Sequence, residues 1–435
     1  MKTTLRAITC ALGLALSTGA AAALNPDEKS MADAVDRRTS DAMALLEKSV
    51  NINSGTMNFA GVKKVADLLA PEFKALGFKV WFEDGKEFNR AGHLIAKHEG
   101  GQGPNILLIG HLDTVFEPES PFQTMTYVDD KTIKGPGVAD MKGGNIIMLE
   151  ALRALQHVGA LKSMNIQVVL TGDEELSGRP LSLSKAALIE AAKWADVALG
   201  FENGDGNPKT ANTSRRGSVD WTLTVKGTPS HSSQVFKPNV GAGAIYEASR
   251  ILTRFYEELR SEQLLTFNPG RIMGGTEVTH DRAKNSGTAF GKNNVVAEHA
   301  IVTGDIRAIS QEQLTRVQRK MQALVAQNLP KTSASIEFGE GYPPMAPKAG
   351  NRQLLEIYST VSADLGQGPV TAVNPLNAGA ADVSFTAEYV DMALDGLGMS
   401  GSAGHTVNES AVIQSLPSQA KRAAVLMYRL QSSAH

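Results

Sequence analysis

Asn105-Ile106-Leu107-Leu108-Ile109-Gly110-His111-Leu112-Asp113 is a short aliphatic run that stops on two metal-binding side-chain types. Four consecutive aliphatic residues, two of them β-branched, read as a strand buried on both faces, the pattern of a parallel sheet covered by helices. Val168-Val169-Leu170 leads in the same way to Asp173-Glu174-Glu175, and Val197-Ala198-Leu199 leads to Glu202. Asp140 and His405 also follow short apolar segments. In an open α/β sheet, ligands bind beyond the carboxyl ends of the strands, so residues far apart in sequence can converge there. Two histidines and several carboxylates gathered at that edge suit a pair of zinc ions.

Around this core the chain is long, at 435 residues, and two domains of ordinary size are expected. A hydrophobic fraction of 42% with 20% charged residues fits a soluble globular protein, and the net charge of -2 gives no reason to expect nucleic acid or an anionic membrane as partner. A small-molecule or short-peptide substrate fits better. Lys2 and Arg6 precede an apolar stretch over 7–16 and the small-residue run Gly19-Ala20-Ala21-Ala22-Ala23, which reads as a signal peptide over 1–23 and implies the periplasm or secretion. The only cysteine, Cys10, lies inside that segment, so the mature chain is expected to have no disulfide and no thiolate ligand. No later segment reaches the ~18 apolar residues of a membrane span.

Helical periodicity predicts helices over 31–50, 59–76, 144–157 and 183–194, alternating with strands from 78–82 onward, as in βαβ units with a parallel or mixed sheet. The character changes near Arg215-Arg216-Gly217. Val219, Trp221, Leu223 and Val225 then alternate with Asp220, Thr222, Thr224 and Lys226, the signature of a strand with one wet face. A helix over 242–259, extended segments over 264–273 and 295–309, a helix over 311–328 and a strand over 335–338 complete a β-α-β-β-α-β, ferredoxin-like order. The predicted fold is therefore α/β: a mixed sheet flanked by helices over 24–215 and 346–435, interrupted by an inserted α+β domain over 216–345.

Each motif has a bland alternative when taken alone. His111 and Asp113 point the same way in extended chain, so Asp113 can fix the imidazole tautomer, but it could equally cap a helix. Asp140, in the turn-rich loop Gly135-Pro136-Gly137-Val138-Ala139-Asp140-Met141-Lys142-Gly143-Gly144, is either an N-terminal cap or a carboxylate lending one oxygen to each of two cations. Three acids in a row, Asp173-Glu174-Glu175, repel one another unless cations or solvent screen them. Adjacent glutamates cannot both face one ion, so one can ligate while the other moves protons. Glu202 and His405 gain meaning only from the ensemble. Gly396-Leu397-Gly398-Met399-Ser400-Gly401 matches GxGxxG, yet the residues after it are small, polar and loop-like where a dinucleotide fingerprint needs a helix. Ser400 and Ser402 lack the spacing of a nucleophile elbow.

Together, HLDTV at His111, GVADMKGG at Asp140, TGDEE at Glu174, FE at Glu202 and SGSAGHTVNE at His405 resemble the dizinc exopeptidase family of aminoacylases, carnosinases, desuccinylases and carboxypeptidases. The folate-hydrolysing bacterial glutamate carboxypeptidases are the most similar group. The resemblance implies two Zn2+ per subunit, with Asp140 bridging, His111 and Glu202 on one ion, and Glu175 and His405 on the other. It further implies Glu174 as general base, Asp113 behind His111, and a cis peptide at Asp140-Met141. The insert resembles a lid and dimerisation domain. There His231 would reach the partner's active site in a homodimer, and Asn294 and Arg307 would hold a substrate bearing a free carboxylate. The implied activity is removal of a C-terminal amino acid, glutamate by this likeness, by zinc-activated water. An aminoacylase or dipeptidase with the same centre, or a non-catalytic metal-binding protein, are the alternatives. The loop over 203–213 has no confident match.

Overall fold

The structure is a computed structural model and describes residues 24–282 and 284–432. The proposed signal segment and Cys10 lie outside the described residues. The first body is a six-stranded mixed sheet in the order Lys79–Asp84, Gly92–Glu99, Met164–Thr171, Gln102–His111, Val197–Gly200 and Met392–Leu394. The strand Gln102–His111 lies between Met164–Thr171 and Val197–Gly200 and runs parallel to both. Its aliphatic run works on both faces. Ile106 and Leu108 enter one core with the helices Pro26–Val50, Lys142–His157 and Ser415–Ser432, while Leu107 and Ile109 enter another with Ala186–Trp194. That two-sided burial is why the segment reads as continuous rather than alternating.

Several boundaries differ from the sequence expectation for identifiable reasons. The first helix starts at Pro26 rather than 31, because Asn25 and Glu28 form a capping box ahead of the apolar periodicity. The strand Gly92–Glu99 was not anticipated, and its antiparallel pairing to Lys79–Asp84 and Met164–Thr171 is what makes the sheet mixed. The segment expected as one helix over 183–194 is two, Leu181–Ser184 and Ala186–Trp194.

The insert is a four-stranded antiparallel sheet in the order Thr266–Gly275, His299–Arg307, Val219–Lys226 and Ser333–Phe338. The helices Ala244–Leu259 and Gln311–Val325 cover the face carrying Val219, Trp221, Leu223 and Val225, as the alternation predicts. A hairpin of Glu277–Asp281 and Ser286–Phe290, also unanticipated, interrupts the expected order between the second and third strands. The chain enters and leaves the insert side by side, Arg215 pairing with Met345 and Ser218 with Tyr342. No helix among the described residues is long and apolar enough to cross a membrane.

Trp221 is 1% exposed and lies opposite Gly304 across the sheet. A Cβ at Gly304 would sit 2.0 Å from the Asn268 carbonyl oxygen and 2.6 Å from the Trp221 ring. Gly304→Ala is therefore expected to destabilise the fold by about 1–3 kcal/mol through overpacking. Urea unfolding checks this, and an unchanged midpoint would refute the account of that contact.

Candidate metal centre

His111 is the last residue of its strand, and its side chain is 1% exposed. Its Nδ1 lies 3.0 Å from the Asp113 main-chain oxygen and 3.4 Å from Asp113 Oδ1. Its Nε2 lies 3.1 Å from Asp140 Oδ1 and 3.4 Å from Glu202 Oε1. On the other side of the same aspartate, His405 Nε2 lies 3.1 Å from Asp140 Oδ2 and 3.2 Å from Glu175 Oε2. Two trios result, His111–Asp140–Glu202 and Asp140–Glu175–His405, each with its ligand-type atoms within 4.8 Å of one another. The shared carboxylate directs one oxygen into each.

The strand-end rule accounts for His111, Glu175 and Glu202 but not for the other two. Asp140 sits in the turn ahead of the helix Lys142–His157, and His405 sits in a loop with a left-handed φ of 61°. The Asp140-Met141 peptide is cis. Glu409, from the same motif as His405, holds the Asp140 turn by its carboxylate, accepting from the backbone N–H groups of Gly137 (3.1 Å), Ala139 (2.9 Å) and Asp140 (3.1 Å). Asp113 is fully buried and does two jobs. Besides facing His111, it accepts from Thr56 Oγ1 at 2.6 Å and from the N–H groups of Glu174 and Glu175 at 3.1 Å each. One carboxylate thus fixes both a histidine and the acidic turn.

The three consecutive acids divide. Asp173 turns away to a fully buried Lys185 at 2.9 Å, which also pairs with Asp382 at 3.0 Å. Glu175 meets His405. The Glu174 side chain joins neither trio, while its carbonyl accepts from the Tyr342 hydroxyl at 2.9 Å. Burial, followed by repulsion from Glu202, raises the Glu174 pKa well above the ordinary carboxylate value. Burial likewise pushes Glu202 up to about 7. Hydrogen bonds to Asp140 and Glu175 raise His405 to about 11. His111 is also raised, because Glu202, Asp113 and Asp140 outweigh the burial that opposes its charge.

Sequence reasoning missed several supporting groups. Arg215 Nε pairs with Asp395 Oδ2 at 2.6 Å, and Asp395 Oδ1 accepts from the Glu202 N–H at 3.3 Å. Asp395 directly precedes the GxGxxG match, whose middle glycine, Gly398, donates to the Glu202 carbonyl at 2.8 Å. A Cβ on Gly398 would lie 2.3 Å from the Phe201 oxygen, so the glycine serves close packing beside Glu202, and a short strand, Gly401–Ser402, follows instead of a helix. His231, Asn294 and Arg307 do not join the trios. His231 is exposed, its Nδ1 2.9 Å from Ser233 Oγ. Exposed Asn294 sits beside it through the Ser232 N–H to Asn294 carbonyl bond of 2.8 Å. Arg307 ends its strand, paired with Asp305 at 2.9 Å.

A mixed α/β sheet with two histidine–carboxylate trios joined through one aspartate is the layout of a metal-dependent hydrolase. The chain belongs to peptidase family M20/M25/M40, whose model matches residues 107–429. It is 26% identical over 430 residues to carboxypeptidase G2 of Pseudomonas sp. (strain RS-16), covering 98% of this chain and 97% of that protein. It is 25% identical over 371 residues to the succinyl-diaminopimelate desuccinylase of Dechloromonas aromatica, covering 81% and 89%. The crystal structure of aminopeptidase PepT from Bacillus cereus shares the fold, with a TM-score of 0.69 at 19% identity over 90% of this chain and 98% of that one.

Proposed function

We propose that this metallopeptidase uses two zinc ions to hydrolyse the amide joining an acyl group to a C-terminal amino acid, glutamate being the favoured leaving residue. The observation that carries the proposal is Asp140, whose two oxygens each face a different histidine at 3.1 Å. Imidazole nitrogens with carboxylate oxygens form a donor set that suits zinc. Held by the two trios, the ions would lower the pKa of bound water to about 7 and polarise the scissile carbonyl. Glu174, whose side chain lies outside both trios, takes the proton from the attacking water and returns it to the departing amine. Asn294 and Arg307 hold the free carboxylate, the arginine by its planar fork. His231, exposed on the insert, serves the oxyanion in the active site of a second chain, which makes the working unit a homodimer. The apolar segment over 7–16 and its flanks support export to the periplasm or beyond. The similarity to carboxypeptidase G2 over nearly the whole chain supports the carboxypeptidase reading.

The test is hydrolysis of matched N-acyl-glutamate, N-acyl-alanine and folyl-glutamate substrates before and after chelation. Activity that survives complete metal removal would sink the proposal. A preference for N-acyl-alanine would shift it to an aminoacylase.

The electrostatics of the centre add a second expected outcome. His405, raised to about 11, holds its proton at neutral pH in metal-free protein, Glu202 at about 7 is partly protonated, and His111 is shifted in the same direction by Glu202, Asp113 and Asp140. Metal ligands must be deprotonated, so loading displaces these protons, and affinity weakens as pH falls. Calorimetry at pH 7 in buffers of different ionisation enthalpy should show net proton release on metal loading. Loading without proton release would contradict this.

A further inference from the structure

Arg215 and Arg216 are consecutive and nearly buried, at 5% and 8% exposure, yet only one is neutralised. Arg215 has Asp395. Arg216 has a hydroxyl and a carbonyl: Nη1 donates to Thr266 Oγ1 at 2.8 Å and Nη2 to the Leu376 oxygen at 3.0 Å. Its Nε is buried without a partner, and no carboxylate forms an ion pair with it among the described residues. Asp305, which acts on it from a distance, is already engaged by Arg307. Removing a guanidinium from water without a counter-charge is costly, and an anion arriving beside it would offset that cost.

The position of this cation says what arrives. Thr266 is the cross-strand partner of Arg307, so the two side chains lie on one sheet face with Cβ atoms about 5 Å apart. Arg216, bonded to Thr266, is thereby drawn to the group that holds the substrate's main-chain carboxylate in the reading above. Burial lowers its pKa, and repulsion from the nearby Arg307 adds to the shift.

We infer that Arg216 is the specificity-determining residue for a dicarboxylic leaving amino acid, pairing with the side-chain carboxylate while Arg307 holds the α-carboxylate. The inference rests on the exopeptidase reading. It explains selectivity by what a neutral side chain leaves behind: a buried cation still unpaired.

Two measurements test it. In the wild-type, metal-loaded protein, free L-glutamate should bind about 30-fold or more tightly than L-glutamine by calorimetry, the range for one desolvated charge pair. Equal affinity overturns the inference with no variant needed. For Arg216→Met, the ratio of kcat/KM on N-acyl-glutamate to that on N-acyl-leucine should fall about 100-fold, mainly through KM, with part of the ratio restored in Arg216→Lys. A purely structural arginine, tying Thr266 to the Leu376 segment, would lower both substrates together and leave the ratio unchanged, which also overturns it. Wild-type protein inactive on every acyl amino acid is a different signature. It would overturn the exopeptidase reading and this inference with it.

Discussion

Glu174→Ala is expected to bind two metal ions per chain, as the wild type would, and to turn over about 100- to 10,000-fold more slowly, the usual contribution of a positioned proton carrier. The geometry separates the two effects. Neither trio includes the Glu174 side chain, so its removal leaves all five ligand-type residues in place. The turn that carries it is held by its backbone, through the Glu174 N–H to Asp113 and the Glu174 carbonyl to Tyr342, and an alanine retains both bonds. Metal analysis beside steady-state kinetics checks the outcome. A variant with full metal and near-normal kcat would remove Glu174 from the mechanism, and one that loses metal would make it a ligand instead.

Asp140→Ala is expected to fail at the earlier step. It takes a carboxylate oxygen from both trios at once, whereas Glu202→Ala or Glu175→Ala takes one from a single trio. Loss of a partner behind a metal ligand already costs 10–100-fold in affinity, so loss of a shared ligand should cost more than about 100-fold at both positions. The turn itself should persist, because Glu409 holds it through the N–H groups of residues 137, 139 and 140, not through the Asp140 side chain. The expected variant is folded, nearly metal-free and inactive. Two tightly held ions in Asp140→Ala would refute the bridging role.

The parts of this molecule that were legible in the sequence are those set by local periodicity. Ile106 to Ile109 announced a two-sided strand, and Val219 to Val225 announced a one-sided one, because burial imposes those patterns directly. The candidate ligands were legible because three of the five stand at strand ends, and the loops carrying Asp140 and His405 supplied turn residues around an acid and a histidine. What was not legible depends on distant partners. Arg215 and Asp395 stand 180 positions apart, and neither carries a local sign that they position Glu202. Lys185 looks like a surface lysine until Asp173 and Asp382 close on it. The strand Gly92–Glu99 was hidden because His93, Lys97 and His98 break its apolar run. His93 is nevertheless buried, with Nε2 2.8 Å from the Ser184 carbonyl and its ring stacked on Phe88. The hairpin at 277–290 lacked a signal for another reason: its second strand is exposed on both faces, so no burial shaped its sequence.

The most direct measurement is anomalous diffraction at the metal edge from crystals of the metal-loaded protein. The account predicts two peaks on either side of Asp140, one with His111 and Glu202 and one with Glu175 and His405, with ligand distances of about 2.0–2.2 Å. A single ion, or ions bound elsewhere with Asp140 touching neither, would contradict it.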